Sequence, residues 1–414
     1  MELLINVIPL IVILVLLFMR KHMLFAGLVG GVLTMIIGGI SIGEATGHFI
    51  GGVSNMLGIT VPILYAASAA MVAEAGSIEA LVELARRSLK GRISILAGIM
   101  VLIQAFATYM AGLGAGNTMV TAPLIAAAVG AVPELIAAMA IATAVGFTTS
   151  PASTETVLAA ESAGRDVIAH AAAMRPFTIL FFLLAAGLAI YGVRKRKSIV
   201  VNKDKEENKK DSISLLKTAT PAVALLVMVV AGSSINNLIN ISIFSPATAV
   251  IFTAILTVLL TPLDTAETSE ALIDGSRFIL TTLFSVGIFL SFINMIGDLG
   301  TFEQLAGLVE QVPQGIIVPT AMLVAFLIAI PSGAFTAGVL TLILPTLSVL
   351  GLPSEAMGFV AIATGFGTQI SPVQINVAAL SEGFDKEIMD IVKENAKFVI
   401  PALILLMIIA FFAV

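Results

Sequence analysis

AIATAVGFTTSP, residues 140–151, recurs without a gap as AIATGFGTQISP, residues 361–372. The likeness reaches Glu161 and Glu382, each ten residues past its proline. Both copies begin as an apolar helical run, dissolve into Gly, Thr, Ser and Pro, and then resume. Proline lacks a backbone donor and clashes with the preceding turn, so Pro151 and Pro372 each break a helix. Paired breaks of this kind mark the ligand site in membrane proteins built from two related halves.

With 58% hydrophobic and 11% charged residues, the chain is far more apolar than a water-soluble domain. Apolar runs near twenty residues recur along it, enough for about 30 Å of hydrocarbon at about 1.5 Å per residue. The composition predicts an all-α polytopic membrane protein, with the lipid bilayer as its first partner. Trp is absent and no basic cluster sits beside stacking aromatics, so nucleic-acid binding is not expected. Zero cysteines remove disulfides, thiolate metal sites and Cys nucleophiles. His22, His48 and His170 show no metal-ligand spacing. No nucleophile–base pair, HExxH motif or phosphate loop is present, so neither an enzyme nor an organic cofactor is expected. Leu3–Met19 follows Glu2, precedes Arg20-Lys21-His22 and lacks a small-residue cleavage site, which predicts a retained first helix.

The soluble-looking stretch RKRKSIVVNKDKEENKKD, residues 194–211, divides the chain. The expected organisation is a first half at 1–193, a linker at 194–214 and a second half at 215–414. Leu3–Met19 corresponds to Leu216–Val230, Leu24–Ile40 to Ile241–Leu260, and Val61–Ala73 to Phe278–Ile296. Short amphipathic segments follow, Ala80–Leu89 and Gln304–Val312. Each half then has a long apolar run interrupted by small polar residues. The first, Ile93–Val129, is broken at Gly112–Thr118; the second, Ile316–Leu350, is broken at Pro331–Thr336. Both patterns predict re-entrant helical hairpins, followed by the broken helices and by closing helices Phe177–Val193 and Phe398–Val414.

Charge tests this layout. With both termini outside and five crossings plus a hairpin per half, all of the 21 basic residues except Arg165 and Arg175 fall inside. That is the bias of the positive-inside rule. The segment before the first hairpin carries ARRSLKGR, whereas its counterpart QLAGLVEQVPQG has no basic residue. Equivalent segments of opposite charge character should lie on opposite membrane faces. Two inverted repeats of five transmembrane helices are therefore expected, each with a re-entrant hairpin and a discontinuous helix.

Unpaired backbone survives in hydrocarbon only where protein or water surrounds it, so two tips and two breaks should meet near the midplane. Helix ends there present N–H groups to an anion and carbonyls to a cation. Candidate substrate-binding side chains are Asn117, Thr118, Thr149, Ser150, Ser332, Thr336, Gln369, Ser371 and Asn376. Candidate ion-coupling positions are Gly116, Thr148, Thr154, Glu155, Gly333 and Thr368, and a Na⁺ site is expected at the tips and breaks. Hydroxyls and amides can donate to a carboxylate or offer oxygen to Na⁺. Ser and Thr also serve as packing residues in membrane helices, so each has a structural alternative. Glu155 stands where the second copy has Asn376, the sole acid near the breaks and a candidate proton or cation carrier.

Hairpins followed by helices broken at Ser-Pro, with the closing motif Gly367-Thr368-Gln369-Ile370-Ser371-Pro372-Val373, resemble the ion transporter superfamily. That group includes divalent anion–sodium symporters, citrate and gluconate permeases and aminobenzoyl-glutamate exporters. The motif looks most like prokaryotic members. The tips read Gly116-Asn117-Thr118 and Ser332-Gly333-Ala334, departing from the Ser-Asn-Thr signature of the dicarboxylate branch. The resemblance implies a prokaryotic inner-membrane carrier of a small organic (carboxylate) anion coupled to Na⁺ or H⁺. It also implies a transport domain from 93–162 and 316–382 that slides as an elevator against a scaffold, and a homodimer formed through that scaffold. A cation/proton antiporter with Glu155 as carrier, a channel and an intramembrane hydrolase remain as alternatives.

Overall fold

A computed structural model of the chain describes residues 2–58, 60–88, 92–112, 114–196, 212–241, 243–333, 336–348, 352 and 354–414. Among the described residues all regular structure is helical. Most of the expected linker, residues 197–211, lies outside them, as do Ala334 and Phe335 of the second tip.

The first half runs through α1 (Glu2–Asn6), α2 (Ile8–Phe18), α3 (Met23–Gly38), α4 (Ile42–Leu57), α5 (Thr60–Glu74) and α6 (Ser77–Ser88). It continues with α7 (Ile93–Ala111), α8 (Gly114–Val129), α9 (Pro133–Thr149), α10 (Thr154–Ser162) and α11 (Val167–Lys195). The second half holds α12 (Ser212–Ile239), α13 (Pro246–Leu260), α14 (Thr265–Asp298) and α15 (Thr301–Gly307). It ends with α16 (Ile317–Ser332), α17 (Thr336–Ser348), α18 (Ser354–Thr368), α19 (Ile375–Gly383) and α20 (Ile388–Ala413). Five segments are each long and apolar enough to cross a membrane: α7, α11, α14, Gln314–Ser332 and α20. The pairs α4 with α5 and α9 with α10 reach that length together, bent by 47° and 52°. This is a multi-pass helical membrane protein.

Sequence patterning assigns no crossing to residues 42–57, whose Gly, Ser, Thr, His and Asn dilute the apolar signal. The structure forms α4 there, opened by a capping box in which Ser41 and Glu44 satisfy each other's backbone donors. The closing helices also begin earlier than expected. α11 starts at Val167 and runs through Pro176 instead of starting after it at Phe177, and α20 starts at Ile388 instead of Phe398.

The repeated stretch forms the middle of the bundle. Every residue from Glu134 to Thr149 in α9, and from Ala356 to Thr368 in α18, is buried. A helix apolar on all sides needs protein on all sides. In lipid, helix association rests on close packing of small residues. Ala144 and Gly365, equivalent in the gapless alignment, meet where α9 and α18 pack; a Cβ on Gly365 would lie 3.2 Å from the Ala144 carbonyl oxygen. Around this pair, α8 of the first half packs on α19 of the second, and α17 of the second packs on α10 of the first.

Ion pairs tie segment ends together. Arg20 holds Glu387 at 2.8 Å and Asp390 at 2.9 Å, and Arg196 reaches the buried Glu134 at 2.7 Å. Arg165 pairs with Glu355 at 2.8 Å, and the His48 imidazole, charged only when protonated, meets Asp298 at 2.6 Å. Each pair joins ends that the charge-derived layout assigns to a common face.

Candidate functional site

The first break forms because α9 stops at Thr149 and Ser150 turns extended, at φ −72° and ψ 130°. The Ser150 hydroxyl donates to the Tyr109 carbonyl at 2.5 Å and accepts from the Ala152 amide at 3.0 Å. Ser153 then caps α10 by accepting from the Thr156 amide at 3.2 Å. In the second break the Ile370 and Ser371 amides donate to carbonyls three residues back, at 3.2 and 3.0 Å. The Gln369 carbonyl accepts from Asn395 Nδ2 at 2.8 Å, so α20 supplies a partner that the broken helix cannot.

Each hairpin tip packs on the break of its own half. Gly112 has φ +66°, a left-handed conformation that glycine adopts without strain, and a Cβ there would lie 2.5 Å from the Ala152 oxygen. Gly333 lies against Ser371, where a Cβ would fall 2.8 Å from the hydroxyl oxygen.

The tips and breaks surround a cavity of about 330 Å³. Its wall includes Gly112, Gly114 and Gly116 from the first tip, Thr154 and Glu155 from α10, and Thr336 from α17. Gln374 and Asn376 come from the second break, and Gly58, Thr60 and Pro62 from the α4–α5 junction. Glu155 stands in the first turn of α10, half-buried. Among the described residues no Lys, Arg or His pairs with it, and none lines this cavity. The available groups are one carboxylate, hydroxyls, amides and backbone at glycine.

Behind the cavity wall lies a buried hydrogen-bond chain. Gln104 Nε2 donates to Thr118 at 2.6 Å and to Thr143 at 2.9 Å, and its Oε1 accepts from Thr121. Thr118 donates to Asn376 Oδ1 at 2.5 Å, and Asn376 Nδ2 donates to Gln369 Oε1 at 2.6 Å. Gln369 Nε2 ends the chain on Thr368 at 3.4 Å. Buried amides and hydroxyls partnered in this way hold one arrangement, because any unpaired member would be costly.

Of the residues singled out in the sequence, Gly116, Thr154, Glu155, Thr336 and Asn376 line the cavity. Thr118 and Gln369 face each other across Asn376 in the buried chain. Thr148, Thr149 and Thr368 donate to their own helices, at 2.7 Å to Ala144, 2.8 Å to Val145 and 2.7 Å to Gly365. Ser150 and Ser371 stabilise their breaks, Ser371 by accepting from the Val373 amide at 3.4 Å. Ser332 donates to the Ile328 carbonyl and lines a second cavity, and Asn117 is buried within α8. Gln104, Thr143, Thr121, Asn395 and Thr60 were not anticipated. A lone Gln inside the apolar run IMVLIQAFATYM was the signal available for Gln104.

Fold and cavity together define a multi-pass helical membrane protein with an acid-bearing internal site. Residues 3–196 match the model of the Na⁺/H⁺ antiporter family, a stretch that includes the first break and Glu155. No curated protein matches the chain. The family match overturns the resemblance to ion transporter superfamily carriers, and with it the organic-anion symporter. The physical reason is visible in the cavity. Broken helices and hairpins fit several kinds of carrier, but a carboxylate without a basic partner repels an anion and attracts a cation.

Proposed function

We propose that this protein is a secondary antiporter exchanging Na⁺ for H⁺, with Glu155 as the carboxylate the two ions occupy in turn. The observation that carries this reading is a single acid set among neutral oxygen donors where tips and breaks meet. The likeness of residues 3–196 to the Na⁺/H⁺ antiporter family supports it. An ionised carboxyl enclosed by protein needs a positive partner, and either Na⁺ or a proton can fill that role. Occupancy by one excludes the other, so alternating exposure of one carboxyl to two sides yields exchange.

Alternating exposure needs two related arrangements of the site. We infer two inverted repeats, with residues 93–162 and 316–382 forming re-entrant hairpins and broken helices that move as a unit, elevator fashion. The remaining helices would form the scaffold and a homodimer contact. The mutual packing of α8 with α19 and α17 with α10 supports the repeat, as does the meeting of Ala144 with Gly365. The one-sided distribution of basic residues supports termini outside the cell.

Proteoliposomes with an imposed pH gradient test the proposal. Addition of Na⁺ without any organic solute should dissipate the gradient, and Glu155→Gln should abolish the response. A gradient insensitive to Na⁺, Li⁺ and K⁺, or full exchange by Glu155→Gln, would overturn it.

A further inference from the structure

A second cavity, of about 690 Å³, lies between α4, α14, α16 and α17. His48 and Asn55 from α4 line it, with Asn294 and Asp298 from α14, Ser332 from α16 and Thr341 from α17. Asn294 and Asp298 are four residues apart and His48 and Asn55 seven, so each helix turns one polar stripe toward the space. The two helices approach closely below the mouth because both carry glycine there: a Cβ on Gly287 would lie 2.8 Å from Val53 Cα. His48 Nε2 and Asp298 Oδ2 meet at 2.6 Å, with the Asp298 side chain 55% exposed. Among the described residues no Lys or Arg lines this cavity.

The two cavities are neighbours across the second hairpin. Ser332 at the end of α16 faces the second cavity, and Thr336 at the start of α17 faces the cavity of Glu155. Along α4, His48 lies near the end shared with Asp298, whereas the α4–α5 junction at Gly58 and Thr60 borders the Glu155 cavity. One helix therefore passes from the mouth of one cavity to the wall of the other.

We infer that the second cavity is a cation-binding vestibule, with Asp298 at its mouth attracting monovalent cations toward the Glu155 site from one membrane face. This rests on the antiporter reading for the destination of the ion, but not for the vestibule itself. Asp298 supplies the charge, His48 orients its carboxylate, and the amides and hydroxyls below offer neutral oxygen to a partly hydrated ion. A cavity with a carboxylate at its mouth and no fixed Lys or Arg concentrates cations over anions.

The natural absence of cysteine makes the test clean. Asn294→Cys and, separately, Thr336→Cys are introduced and reconstituted in oriented proteoliposomes. Cationic and anionic methanethiosulfonate reagents of matched size are then added to one side at a time. Asn294→Cys should react from one face only, about tenfold faster with the cationic reagent, and NaCl should slow that reaction more than choline chloride at equal ionic strength. Thr336→Cys, on the wall of the Glu155 cavity, should react from that face more slowly than Asn294→Cys. Adding Asp298→Asn should bring the two reagents to equal rates, while Asp298→Glu, which keeps the charge, should retain the preference. Equal rates of the two reagents in the Asn294→Cys protein, or its reaction from both faces, would overturn the vestibule. These rates do not depend on transport, so an inactive Glu155→Gln protein leaves them intact and separates failure of the vestibule from failure of the antiporter reading.

Discussion

Thr118 and Asn376 are joined by a 2.5 Å hydrogen bond that links the first hairpin to the helix resuming after the second break. Asn376 lines the Glu155 cavity, so the bond fixes a wall residue from behind. Its amide oxygen accepts from Thr118 while its amide nitrogen donates to Gln369, which sets the orientation of the group. The two halves of the chain thus share one polar chain beside one acid.

Replacing Thr118 with Val keeps the shape but removes the hydroxyl that serves Asn376 and Gln104. A buried polar group left unpartnered costs about 1–3 kcal/mol. Thr118→Val should lower the thermal midpoint in detergent, and Thr118→Ser should restore most of the loss. An unchanged midpoint for Thr118→Val would show that water replaces the hydroxyl.

Glycine packing gives a second expectation. A Cβ on Gly367 would collide with the Phe326 carbonyl oxygen, which is backbone and cannot swing aside. Gly367→Ala should destabilise by about 1–3 kcal/mol, the usual range for overpacking. Gly187 in α11 is exposed with nothing within 4 Å of an added Cβ, so Gly187→Ala should be neutral or stabilising by up to about 1 kcal/mol. Thermal midpoints of the pair, measured together, check both signs.

Both breaks and both tips were legible in sequence because Gly, Ser and Pro leave a mark inside apolar runs. That an acid, Glu155, stands beside the first break was legible because acids are rare there, and the structure puts it on the cavity wall. The partner chemistry was not. Thr148, Thr149 and Thr368 carry the same hydroxyl as Thr336, and only the fold shows the first three bonded within their own helices and Thr336 on the cavity wall. The α4–α5 junction was hidden for another reason: residues 42–57 are too polar to register as a crossing, and the packing of α4 on α14 depends on glycine contacts at Gly52 and Gly287 that no local pattern reports. The expected carrier of organic anions failed at a similar point. Neutral donors suit anion and cation alike, and what separates the two readings is the likeness of residues 3–196 to the Na⁺/H⁺ antiporter family.

Arg196 and Glu134 pin the start of α9 to the end of α11. Glu134 is 3% exposed and Arg196 37%, so the carboxylate depends on the guanidinium far more than the reverse. Arg196→Gln should destabilise by about 1–3 kcal/mol, less than the roughly 3–5 kcal/mol of a fully buried pair because water can partly replace the lost charge. Arg196→Lys keeps the charge without the planar fork and should fall between. Equal midpoints for all three proteins would mean that the ion pair is not a fastener.

Direct binding provides the strictest check on Glu155. A ligand held only by the folded state raises stability by RT ln(1 + [L]/Kd), about 2.7 kcal/mol at one hundred times Kd. Na⁺ should therefore raise the thermal midpoint of the natural protein, while choline at equal ionic strength should not. Glu155→Gln has nearly the same shape but no charge, so its midpoint should be indifferent to Na⁺ even if its fold is intact. Protons and Na⁺ compete for one carboxylate, so acidification should weaken apparent Na⁺ binding, at the limit tenfold for each pH unit. The Na⁺-induced shift should consequently shrink as pH falls and recover at higher Na⁺. A shift independent of pH would place the bound cation somewhere other than Glu155.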